Sequence, residues 1–179
     1  LAPGAMLPAV LESAVRLLAG IGRPADRAAD ALTRLDRTIQ RAYGRYGFPR
    51  HPGRSDPDIG AAFLLPPFRG AVNEPALQRL IEILPRLGRP AGGLAPGVTW
   101  HQDGISWTPE TATVAAVFAR TGHVQRAADL VDWLAKHRTV AGSYPEKVLE
   151  TGDAAAVAPL AWTAAATLLA IEGLGGALN

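Results

Sequence analysis

The sequence contains no cysteine and a single methionine, has few aromatic residues, and lacks a large excess of either charge. The absence of cysteine excludes a disulfide scaffold, a cysteine-ligated zinc site and a thiol nucleophile. Charged residues make up only 19% of the 179 positions and the formal net charge is +2, which is not the composition of a disordered chain. Hydrophobic residues account for 48%, enough to form a buried core. We therefore expect one compact, folded domain.

The basic residues do not form the pattern of a nucleic-acid-binding protein. All but two of the 18 are arginine, the exceptions being Lys136 and Lys147, and they are spread along the chain rather than grouped in a run. Binding to a phosphate backbone requires a concentrated basic surface. We expect no nucleic-acid partner.

Motifs for several common catalytic chemistries are also missing. The four histidines lack the spacing of metal ligands, and no glycine-rich phosphate loop precedes a helix. Ser106 and Ser143 do not lie in a nucleophile elbow. The sequence therefore predicts no bound metal ion and no cofactor.

One uncharged run, residues 154–171, has the length of a short membrane-spanning helix. Much of it is alanine, which contributes little transfer energy, and Pro159 suits the first turn of a helix better than a bilayer centre. We interpret the run as a helix buried in a helical protein. Since no secretory signal is visible after Leu1, we expect a cytoplasmic location and no membrane partner.

Helical patterns dominate the sequence, and no segment alternates apolar and polar residues as a half-buried strand does. A hydroxyl cap at Thr108, followed by Pro109, predicts the start of one helix. The fold class predicted is all-α, built from helical hairpins that short turns and longer loops connect in alternation, as in an α-hairpin toroid. A repeat solenoid is the second choice. About seven helices are predicted, over residues 7–18, 25–46, 59–65, 74–85, 111–120, 124–137 and 154–171.

Two long loops, residues 87–108 and 140–160, concentrate side chains suited to sugar binding. These are Trp100, His101, Asp103, Trp107, Tyr144 and Glu146. Aromatic rings pack against the C–H faces of a sugar, and glycoside hydrolysis requires two carboxyl groups. The simpler interpretation, which periodicity alone favours, places Trp107 in the core and leaves Glu146 as a solvated loop residue.

Four segments in order resemble glycoside hydrolase family 15, the glucoamylase family, and its bacterial members in particular. They are Ile-Ser-Trp-Thr-Pro-Glu-Thr-Ala at 105–112, Trp-Leu-Ala-Lys-His-Arg-Thr at 133–139, Gly-Ser-Tyr-Pro-Glu-Lys-Val at 142–148 and Ala-Pro-Leu-Ala-Trp-Thr-Ala at 158–164. The resemblance covers roughly residues 56–174. It implies an (α/α)₆ toroid that hydrolyses α-linked glucosides with inversion. It further implies that Glu146 is the general base, that Trp162 belongs to the pattern opening the last inner helix, and that Trp107 lies near the substrate loop.

The sequence departs from this family at two places. The general acid of the family lies in a Trp-Glu-Glu type motif that the chain lacks. Many members also carry an arginine that binds the nonreducing sugar, in the loop before the position of Trp107. No arginine occurs here at residues 95–100, and Trp100, His101 or Asp103 would take over its role. Seven helices are about half of twelve, so we expect residues 1–179 to form the C-terminal portion of the toroid. The alternatives are a split half with a separate partner and a degenerate relative that closes by dimerisation. Two other functions stay open, a non-catalytic helical module that binds a protein or glycan through an open concave face and a trehalase-like hydrolase.

Overall fold

The computed structural model of the protein describes residues 2–177, and its regular structure is mainly helical. This confirms the all-α fold class. Two 3₁₀ helices, Gly44–Tyr46 and Ile59–Leu64, accompany the longer helices. The α-helices of the described part are α1 (Ala2–Gly20), α2 (Asp26–Ala42), α3 (Glu74–Leu87), α4 (Thr108–Arg120), α5 (Val124–Lys136) and α6 (Ala161–Ala177).

The chain divides into two compact units, and the division after residue 81 falls within α3. In the first unit, α1 packs against α2 and against the 3₁₀ helix Ile59–Leu64. Every residue of that 3₁₀ helix is buried, so it forms the centre of this unit. Asp58 begins it by accepting a hydrogen bond from the backbone N–H of Gly60.

The second unit is built around α4, which packs against both α5 and α6. Residues Thr111–Ala119 of α4 are all buried, and the alanines at 112, 115 and 116 let both neighbouring helices approach closely. A turn of three residues, 121–123, joins α4 to α5 as the sequence predicts.

Helices α4 and α6 run parallel. The Oγ1 atoms of Thr108 and Thr163 lie 2.7 Å apart near their first turns. Near their last turns, a Cβ built on Gly173 would lie 2.8 Å from the Cβ of Ala119, so only glycine permits this approach. The two helices therefore begin at the same end of the second unit.

A small antiparallel sheet joins the two long loops at that end. Its strands are β1 (Ser106–Trp107), β2 (Lys147–Val148) and β3 (Ala154–Ala155), in that order. The sequence predicts no strand here, because two residues are too few for an alternating pattern to be recognised.

The prediction of residues 154–171 as one continuous helix is wrong at its start. The first residues form β3 and a loop, Pro159 lies before the helix rather than in its first turn, and α6 begins at Ala161. Only one face of α6 is covered in the structure, since Trp162, Leu168 and Ile171 are 44%, 67% and 50% exposed. Within residues 2–177, no helix is long and apolar enough to cross a membrane.

Candidate functional site

Glu146 lies on the second long loop, directly before β2, and its backbone is held on both sides. Its carbonyl oxygen accepts a hydrogen bond of 3.1 Å from the N–H of Thr108, the first residue of α4. Its own N–H donates to the carbonyl oxygen of Val157 at 2.8 Å. The side chain is half-buried. The loop therefore presents this carboxyl group from a fixed backbone beside the start of α4.

The strand opposite Glu146 contains one extra residue. The β2–β3 register pairs Lys147 with Ala155, so regular pairing would continue from Glu146 to Ala156. Glu146 instead bonds to Val157, and Ala156 has the left-handed φ of 62°. Such a conformation costs a non-glycine residue about 1–2 kcal/mol. Bulges and strained residues of this kind are common beside functional sites, where they change the direction of a side chain.

The first long loop brings three of the predicted residues into one aromatic cluster, formed by Trp100, His101 and Trp107. The ring centroid of Trp100 lies 5.2 Å from that of His101 and 5.8 Å from that of Trp107, both in edge-to-face geometry. The Nζ atom of Lys147 lies over the Trp107 ring, 4.3 Å from its centroid. A sugar that stacks on this face of Trp107 would have to displace the ammonium group.

Asp103 and His101 are exposed, and both also help to fix the loop. The Oδ1 atom of Asp103 accepts a hydrogen bond of 3.1 Å from the backbone N–H of Ile105. The carbonyl oxygen of His101 accepts one of 3.2 Å from the Arg89 guanidinium. These two hydrogen bonds hold the backbone of the loop that carries the Asp103 carboxylate.

Tyr144 and Trp162 lie in different surroundings from the aromatic cluster. Tyr144 is partly buried and packs against the core residues Ala112, Leu134 and Ala166. Its backbone carbonyl accepts a hydrogen bond of 2.9 Å from Leu160, which connects the loop to the start of α6. Trp162 is half-exposed on the first turn of α6.

The structure adds two side chains that the sequence analysis did not select. Lys147 is named in the sequence analysis only as one of the two lysines of the chain, yet its ammonium group lies over Trp107. Glu150 lies in the turn between β2 and β3, and a Cβ built on Gly104 would lie 3.0 Å from its Oε2 atom. This places a further carboxylate beside Gly104, the residue that follows Asp103. Cross-strand pairing produces both contacts, so no local motif could have revealed them.

A pocket of about 380 Å³ lies in the first unit, and none of the predicted site residues lines it. Arg69 crosses its wall, where its guanidinium bonds both carboxylate oxygens of Asp36 at 2.8 and 2.9 Å and Glu12 at 2.7 Å. The hydrogen bond to Asp36 raises the pKa of Arg69, burial lowers it, and the bond to Glu12 raises it further, with a net increase. These charged groups form ion pairs with one another, so the pocket is a weaker candidate for a functional site than the loops of the second unit.

Solved structures similar to this chain are glycosidases. A wild-type glycosidase matches with a TM-score of 0.69 and 19% sequence identity, over 84% of this chain and 45% of that chain. A glutamate-to-alanine variant of a glycosidase in complex with glucose matches with a TM-score of 0.69 and 18% identity over the same shares. No protein-family model matches the sequence, and no curated protein matches it significantly. The chain thus spans less than half the length of the glycosidases it resembles, and it shares their fold over that portion.

Proposed function

We propose that this chain is a portion of a glycoside hydrolase that releases glucose from the ends of α-linked glucosides with inversion, as family 15 glucoamylases do. Residues 1–179 correspond in this proposal to the C-terminal portion of an (α/α)₆ toroid, and the N-terminal half supplies the general acid. The motif resemblance and the glycosidase fold both support this assignment.

The observation that carries the proposal is the position of Glu146. Glu146 is half-buried, on a loop that is hydrogen-bonded to the start of α4 and paired with a strained bulge. Fixed geometry is what a general base requires, because an error of 1 Å in the position of a reacting group lowers the rate strongly.

In the proposed reaction, the Glu146 carboxylate accepts a proton from a water molecule as the water attacks the anomeric carbon. The acid of the N-terminal half protonates the departing glycosidic oxygen on the opposite face of the sugar. Inversion requires about 6.5–9.5 Å between the two carboxyl groups, which leaves room for the water. The residues proposed to line the sugar site are Trp100, His101, Asp103, Trp107, Tyr144 and Trp162.

The uncovered face of α6 supports the assignment to a larger body. Trp162, Leu168 and Ile171 expose apolar side chains along one helix, and exposed apolar patches mark interaction sites. The matched glycosidases are about twice as long as the aligned part of this chain. In the proposed enzyme, helices of the N-terminal half cover this face.

The proposal is tested with Glu146→Gln in the natural protein, with Asp153→Asn as a control that removes a charge from the same hairpin. We expect Glu146→Gln to slow the hydrolysis of maltooligosaccharides about 10²–10⁴-fold, the usual contribution of a general base, while Asp153→Asn retains activity. Proton NMR of the first product should detect β-glucose. Wild-type rates from Glu146→Gln would contradict the assigned base, and α-glucose as first product would contradict inversion.

A second candidate function follows from the same exposed face of α6. A non-catalytic module would use Trp162, Leu168 and Ile171 to bind a protein or glycan directly. It would hydrolyse none of maltose, isomaltose or trehalose, and Leu168→Glu would abolish partner binding. Hydrolysis of trehalose in preference to maltose would instead indicate the trehalase-like alternative.

A further inference from the structure

Two buried threonines connect the loop of Glu146 to the starts of two helices. Thr108 is the first residue of α4 and is 1% exposed, and Thr163 lies in the first turn of α6 and is fully buried. Their Oγ1 atoms lie 2.7 Å apart, and Thr108 Oγ1 also bonds the carbonyl oxygen of Pro145. The predicted capping role of Thr108 is therefore wrong. Trp107 occupies the cap position, and the Thr108 hydroxyl donates its hydrogen bond to the loop instead.

The direction of these bonds follows from the number of protons. A carbonyl oxygen only accepts, so the single hydroxyl proton of Thr108 is donated to Pro145. Thr163 must then donate its proton to Thr108 Oγ1. The result is a chain of donors that runs from α6 through α4 to the loop, in which each bond polarises the next.

The carbonyl of Pro145 belongs to the peptide group that joins Pro145 to Glu146. The N–H of the same peptide group donates to Val157. Because a peptide group is planar, bonds at its oxygen and at its nitrogen together fix the orientation of the plane. The hydrogen bond from Thr108 N–H to the Glu146 carbonyl holds the next peptide group in turn. These contacts define the direction in which the Glu146 side chain leaves the backbone.

We propose that Thr108 is a positioning residue for the carboxyl group of Glu146 and that Thr163 orients the Thr108 hydroxyl. The inference rests on the proposed role of Glu146 as general base. The hydrogen bonds of Thr108 to this loop all go to backbone carbonyl oxygens, so we expect it to act on the reaction through the placement of the carboxylate.

The experiment compares Thr108→Val with Thr113→Val in the natural protein. Thr113 is the matched control, since it lies on the same helix and is equally buried. Its hydroxyl donates a hydrogen bond of 2.7 Å to the carbonyl oxygen of Pro109, within the helix. We expect Thr108→Val to lower kcat about 10–100-fold with KM little changed, as misplacement of a catalytic group does. Thr113→Val should leave kcat unchanged, and Thr108→Ser should restore it. Equal losses from the two valine variants would overturn the proposal.

Amide hydrogen exchange at Glu146 provides a readout that does not depend on activity. We expect exchange at this N–H to accelerate about tenfold or more in Thr108→Val and to stay unchanged in Thr113→Val, because only the first variant loosens the peptide group. Unchanged protection in Thr108→Val would also overturn the inference. Full activity of Glu146→Gln, in contrast, would overturn the proposed function, while the exchange result would still decide whether Thr108 holds the loop.

Discussion

The ammonium nitrogen of Lys147 lies 4.3 Å from the centroid of the Trp107 ring, and the two residues are direct partners in the β1–β2 register. Exposed cation–π contacts contribute about 0.5–1 kcal/mol. We expect a coupling free energy of this size from a double-mutant cycle with Lys147→Gln and Trp107→Leu, measured by urea unfolding. Additive effects of the two substitutions would mean that the contact does not stabilise the hairpin.

Ala156→Gly should stabilise the protein, although glycine usually weakens regular structure. Ala156 has a φ of 62°, which glycine adopts without the strain that a Cβ introduces. After subtraction of the entropy that glycine loses on folding, a gain of about 0.5–1 kcal/mol in the free energy of unfolding remains. The control Ala155→Gly, in strand β3, should lower stability by a similar amount. Destabilisation by both variants would argue against a strained bulge at Ala156.

Arg69→Met should destabilise the first unit by about 2 kcal/mol, because it leaves Glu12 and Asp36 without their common partner. This loss in the free energy of unfolding is smaller than the roughly 3–5 kcal/mol expected for a fully buried pair, because both carboxylates are partly exposed to solvent. Arg16→Met removes an exposed arginine that lies 3.6 Å from Glu12, and should change stability by less than about 0.5 kcal/mol. Denaturant unfolding of both variants measures the difference, and equal losses would refute the central role of Arg69.

Asp56 should make the stability of the first unit depend on pH in the acid range. Burial raises the pKa of its carboxyl group, but hydrogen bonds from the His51 ring and backbone outweigh this and lower the pKa below its ordinary value of 3.8. The ionised form is therefore favoured by folding, so its stabilisation is complete above about pH 4 and is lost as the pH falls through the lower folded-state pKa. The free energy of unfolding should thus differ between wild type and Asp56→Asn at pH 6.

That difference should shrink as the pH falls through the lowered folded-state pKa of Asp56, because the wild-type carboxyl group then becomes neutral as well. Asp30→Asn, which removes an exposed carboxylate from α2, provides the control for net charge. A difference between wild type and Asp56→Asn that stays constant from pH 6 to the acid range would exclude the His51–Asp56 pair as its source.

Much of the fold could be predicted because helix signals are local. Pro109 and Glu110 mark the start of α4, Gly122 ends it, and the apolar spacing of Ala127 and Leu134 identifies the buried stripe of α5. These features act within a few residues of one another, so the sequence expresses them directly.

The remainder depends on contacts between distant residues. Thr108 looked like a helix cap because Thr-Pro-Glu is a common cap sequence, but its hydroxyl bonds a carbonyl 37 residues away. Glu150 and Gly104 meet through the register of a sheet whose strands are two residues long. The motif resemblance selected Glu146, and only the three-dimensional structure reveals which groups hold its peptide.

The complete burial of Thr111–Ala119 in α4 limits the substitutions that this segment can accept during evolution. Larger side chains at Ala112, Ala115 or Ala116 would overpack the contacts with α5 and α6, so we expect these three residues to stay small among homologues. The hairpin tips at residues 140–142 and 150–153 are largely exposed and carry no such restriction. Substitutions can therefore accumulate at these tips while the framework that holds the peptide of Glu146 stays fixed, which separates variation of the loops from foldability.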